Sequence, residues 1–183
     1  MRIPSLFLVL AALAAAVPAG AMTPDEAYAS IPHRRTTFDA RTSKAPPAHV
    51  ASLERLFALT DQGVVLRVEG IRAQRGRDGA GVKRVIEGYD ALIAKLQAEP
   101  LEAAVVPART LIVDAVRAHR RYLASQPQGG LQFVRSDLSV APDVREASQR
   151  LHSAYDVLLQ AFPAEPPRNK AAFYDYLCAL DHL

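Results

Sequence analysis

The chain has 183 residues, half of them hydrophobic, with 22 basic against 19 acidic side chains, one cysteine and no tryptophan. This length fits one domain, and near-balanced charge on so apolar a chain excludes wholesale disorder. A single cysteine excludes an internal disulfide framework and a zinc site built of cysteines alone, and a formal charge of +3 calls for no particular partner.

The first residues have the three parts of a cleavable secretory signal. Arg2 supplies the positive start, Leu6 to Val17 the apolar core, and Ala19-Gly20-Ala21 the small-residue cleavage site. The core is shorter than the roughly 18–20 residues of a spanning helix, and Pro18 closes it. Residues 1–21 are therefore expected to be removed after Ala21, leaving a periplasmic or secreted protein with no stable membrane insertion.

Thr23-Pro24-Asp25-Glu26 is a helix start, with Thr23 as N-cap, Pro24 in the first turn and Glu26 closing a capping box. Pro32 ends that helix. From His33 to Pro47 there is no helical period, so residues 22–47 read as a short helix followed by an irregular arm lying over the body. Residues 48–183 read as a helical bundle domain.

In the first long helix Val50, Leu53, Phe57, Val64, Val68 and Ile71 recur on one stripe, until Gly76-Arg77-Asp78-Gly79 breaks it. The second runs from about Gly81 to Ala98, with Val82, Val85, Ile86, Tyr89, Ile93 and Leu96 facing inward. The third covers about Leu101 to Ser125, where Pro107 marks either a later start or a kink. A polar stretch from Gln126 to Ala141 follows, and its apolar Leu131, Phe133, Val134 and Leu138 are expected to pack on the body. Pro142 opens the fourth helix, whose stripe is Val144, Ala147, Leu151, Tyr155, Leu158 and Phe162. The last begins near Asn169 as N-cap and carries Phe173, Tyr176, Leu177 and Leu180. No segment alternates in the strand manner. The fold class is all-α, an up-down antiparallel bundle of four to five helices with an irregular N-terminal arm.

Three constellations stand out. His119 falls in the middle of the third helix's apolar stripe, and a buried imidazole requires a hydrogen-bond partner. Asp61, at the edge of the first long helix's stripe, is the expected partner, with Tyr89, Tyr122 and Tyr155 able to add hydroxyls. Gly63 and Gly70 share a side of the same helix with Leu59 and Leu66. Glycine inside a helix costs roughly 0.5–1 kcal/mol, so this strip implies close helix approach, either at the bundle centre or in a homodimer.

The third is Cys178-Ala179-Leu180-Asp181-His182, which places a thiol and an imidazole at the spacing of a haem c attachment site, with Asp181 where the second thiol would stand. Its position on the final helix of an exported bundle is similar to cytochromes of the c-prime type. That resemblance implies Cys178 as a single thioether and His182 as axial iron ligand. Arginine clusters at 34–35, 72–77 and 117–121 read as solvated faces rather than a nucleic-acid surface. No nucleophile elbow, zinc-protease helix, phosphate loop or dinucleotide turn occurs, so no enzyme is expected. The sequence thus reads as an exported binding or interaction module for a protein or small molecule and without a cofactor. The alternatives are a haem c protein using Cys178 and His182, or a small-molecule or metal sensor with a polar interior around His119 and Asp61.

Overall fold

A computed structural model describes residues 22–126 and 141–181. Residues 1–21, where the cleavable signal is expected, the stretch from 127 to 140, and residues 182–183 lie outside the described residues. Six helices and no strand occur among the described residues: α1 (Pro24–Ala29), α2 (Pro47–Arg75), α3 (Gly79–Ala98), α4 (Val106–Ser125), α5 (Pro142–Ala161) and α6 (Pro167–Asp181). None is long and apolar enough to cross a membrane. The all-α bundle expected from periodicity is the fold.

Local chemistry sets the helix ends. Thr23 caps α1 through Oγ1, which accepts from the Glu26 amide, while the Glu26 carboxylate accepts from the Thr23 amide at 2.7 Å. Between α2 and α3 the chain turns within three residues, with Arg77 at a φ of 54°. Asp78 then caps α3 by accepting the Gly81 amide at 2.8 Å. A side chain at position 81 would collide with that same carboxylate, so the cap needs glycine there. Pro107 lies in the first turn of α4 rather than inside a longer helix, which places Leu101 to Val105 in the preceding turn.

Contacts run around the bundle from α2 to α3, α4, α5 and α6 and back to α2, with α1 laid on α2. Short connections between the long helices favour this neighbour-to-neighbour packing. The core is Leu53, Leu56, Phe57 and Val64 of α2, Tyr89 and Leu96 of α3, Ile112 and Val116 of α4, Leu151 and Leu158 of α5, and Phe173, Leu177 and Leu180 of α6. Helix α2 is buried on more than one side, because Gly63 and Gly70 are covered as well as the apolar stripe.

The arm lies over α2 and α6 and is held by both grease and hydrogen bonds. Phe38 sits 5.7 Å from the Phe57 ring and 6.0 Å from Phe173. Three buried polar residues at the α5–α6 corner and along α6 fasten the backbone beside it. Glu165 accepts from the Ser43 hydroxyl and from the amides of Lys44 and Ala45 at 3.0 and 3.1 Å. Asn169 accepts the Asp39 amide at 3.0 Å and donates to its carbonyl at 3.2 Å. Asp175 accepts the Thr36 amide at 2.8 Å, while His33 Nε2 meets the Asp175 carbonyl at 3.0 Å. Asn169 is therefore not the N-cap of the last helix. That helix starts at Pro167, and the amide side chain is fully buried, spent on the arm and on Glu165.

Candidate functional site

The middle of α2 carries a charge where the bundle is driest. Gly63, Arg67 and Gly70 are spaced by four and three residues, which puts them on one strip. The glycines bring the neighbouring helices close on either side of the arginine. A Cβ at position 63 would meet Leu180 at 3.0 Å and Leu92 at 3.4 Å, and one at position 70 would meet Val85 at 3.3 Å and Leu123 at 3.4 Å. The strip therefore faces α3, α4 and α6 of its own chain. That leaves no surface there for the homodimer that the Gly63/Gly70 spacing also allowed.

Arg67 is 4% exposed, and its Nε and Nη2 have no partner among the described residues. The Tyr89 hydroxyl lies beside it, and Tyr122 and Asp181 are near enough to favour its charge. Burial still pulls the guanidinium below its ordinary value. The phenol of Tyr89 is pushed up to about 12 by the same burial, against the pull of Arg67.

His119 comes from α4, as its place in the apolar stripe predicts, and is fully buried. Among the described residues neither ring nitrogen has a partner. Burial first, and the Arg67 charge second, hold its pKa well below the usual imidazole value, so the ring is neutral at physiological pH. Buried polar atoms of this kind cost about 1–3 kcal/mol each when unpaired, and an unpaired ion costs several kcal/mol. A sequence that keeps both in its core departs from what stability alone selects.

Asp61 is not the partner of His119. Its Oδ2 accepts from Arg35 Nη2 of the arm at 2.6 Å, and Arg35 also pairs with Asp25 and stacks over the Tyr28 ring at 4.6 Å. The Tyr28 hydroxyl lies beside Asp61 outside normal hydrogen-bond geometry. Burial raises the Asp61 pKa despite Arg35. Asp61 thus belongs to the anchor of α1 and the arm, and the interior centre belongs to Arg67 and His119.

Cys178 is half-buried and free. It lines a cleft of about 80 Å3 between α5 and α6 with His152, Tyr155 and Tyr174. His182, the other residue of the haem expectation, lies outside the described residues. Asp181, at the second-thiol position, accepts the Ser148 hydroxyl at 2.8 Å. Among the described residues no group of three His, Cys, Asp or Glu side chains is placed to hold a metal ion. A larger cleft of about 230 Å3 lies where the arm meets the α5–α6 corner, but its buried carboxylate, Glu165, is already engaged by the arm.

Comparison with known protein families, curated proteins and solved structures finds no match. Sequence reading missed Arg67, although a signal for it was present. An arginine spaced four and three residues from two glycines lies on the strip those glycines mark for close helix approach.

Proposed function

We propose that the protein is an exported, non-enzymatic binding module whose small-molecule ligand sits inside the bundle, at the centre shared by α2, α3 and α4. The observation that supports this is the pair of buried side chains with unsatisfied polar atoms, Arg67 and His119. Polar groups kept dry and unpaired are costly in a purely structural core and become useful when a ligand completes them. Residues 1–21 carry the expectation of export, with the periplasm or exterior as the working compartment. The alternative of an interior sensor takes the same form, with Arg67 in the place of Asp61.

Thermal unfolding of the purified protein against a panel of small polar and charged molecules tests the reading. A compound that raises the midpoint of the wild type but not of His119→Phe or Arg67→Met supports it. A panel that shifts none of the three proteins, or all of them equally, contradicts it.

A further inference from the structure

The free edge of Arg67 has a defined shape. Nε and Nη2 lie on one side of the guanidinium, and two parallel N–H groups on that side match the two oxygens of a carboxylate. The same chain uses this fork elsewhere: Arg120 donates from Nε and Nη2 to the two oxygens of Asp90 at 2.8 and 2.9 Å. Arg121 divides the corresponding pair of donors between Asp143 and Glu146, at 3.0 and 2.7 Å. In Arg67 the fork is formed, buried and empty of any acid among the described residues. Asp181, the acid whose charge it feels, is engaged with Ser148 at 2.8 Å and faces His152 at 3.9 Å.

The charge of the centre limits the ligand further. Among the described residues Arg67 is its one cation, since His119 beside it is held neutral. Besides Asp181, which Ser148 engages, the polar groups near the guanidinium are the hydroxyls of Tyr89 and Tyr122. A single negative charge balances this set, whereas a dianion would bury a net charge. Along the same strip Leu180 and Leu92 cover Gly63, and Val85 and Leu123 cover Gly70.

We propose that the interior centre binds a small organic monocarboxylate, whose two oxygens take the Nε–H and Nη2–H of Arg67. This rests on the reading of the centre as a ligand site and names the ligand class. The Nε and Nη2 edge is buried, so the carboxylate reaches it only when the helices around Arg67 part locally.

The test compares sodium butyrate, its neutral amide butyramide and sodium phosphate, at matched ionic strength, on the thermal midpoint of wild type, Arg67→Met and Arg67→Lys. Saturating butyrate is expected to raise the wild-type midpoint by roughly 2–4 °C, the response of a domain this size to a roughly fivefold gain in the folded-to-unfolded ratio. Butyramide and phosphate are expected to leave it unchanged. Arg67→Lys keeps the charge without the fork, and is expected to need at least about tenfold more butyrate for the same shift. Arg67→Met is expected to lose the response. Equal shifts from butyramide and butyrate would overturn the carboxylate assignment while leaving an interior ligand site standing. A larger shift from phosphate would overturn the single-charge argument. Absence of any shift by all three, or an undiminished butyrate response in Arg67→Lys, would overturn the fork.

Discussion

Replacing Glu165 by alanine should loosen the arm while leaving the helices in place. Glu165 is 4% exposed, and its carboxylate accepts from the Ser43 hydroxyl, the Lys44 and Ala45 amides at 3.0 and 3.1 Å, and Asn169 Nδ2 at 2.6 Å. Hydrogen bonds to a charged acceptor contribute about 1.5–3 kcal/mol each. Ser43, Lys44 and Ala45 lie near the surface, and water recovers most of what they lose. The Asn169 amide, fully buried, recovers little. The expected net loss is therefore about 3 kcal/mol, near the value for one charged bond lost outright and the others lost in part. Urea unfolding monitored by circular dichroism gives the total. Native-state hydrogen exchange locates it, with the Lys44, Ala45 and Asp39 amides losing protection before those of α2. A loss below about 1 kcal/mol, or amide protection in the arm equal to wild type, would refute the claim that Glu165 fastens the arm.

Two further substitutions test electrostatics. His119 is neutral in the folded state with a lowered pKa, so the unfolded chain takes up its proton first as pH falls. Wild-type stability should drop by about 1.4 kcal/mol from pH 7.5 to 5.5 through this residue. His119→Phe, compared by urea unfolding at both pH values, should lack that share. An identical pH dependence in the two proteins would contradict the burial of a neutral ring. Asp61 has the opposite behaviour, because burial raises its folded-state pKa and the native state therefore holds the proton longer. Its contribution to stability declines as pH rises above the ordinary carboxylate range, and Asp61→Asn should flatten that slope. A steeper slope in the variant would show Arg35 outweighing burial.

Periodicity made the helices legible, because a core-facing stripe needs only chain-local spacing. The α1 cap, the break at Gly76 to Gly79 and the burial of His119 followed from the same local rules. Pairings across the fold did not. Asp61 looked available to His119 because both face the interior, yet the arm returns over α1 and delivers Arg35 to within 2.6 Å of it. Nothing in an irregular segment's periodicity specifies that path. Asn169 had the residue type and position of an N-cap, and tertiary contact with the arm claimed its side chain instead. Arg67 was passed over because arginine ordinarily marks a solvated face, and only the flanking glycines hinted otherwise. The haem reading rested on the spacing of two residue types, and one of them, His182, lies outside the described residues.

The stability of Arg67→Met bears most directly on the claim that the bundle interior holds an uncompensated charge. Methionine keeps the length of the side chain and removes the buried ion, so urea unfolding without ligand should show the variant more stable than wild type by about 1–4 kcal/mol. A variant less stable by about 3–5 kcal/mol would mean that Arg67 already has its partner in the folded protein, and would contradict the account.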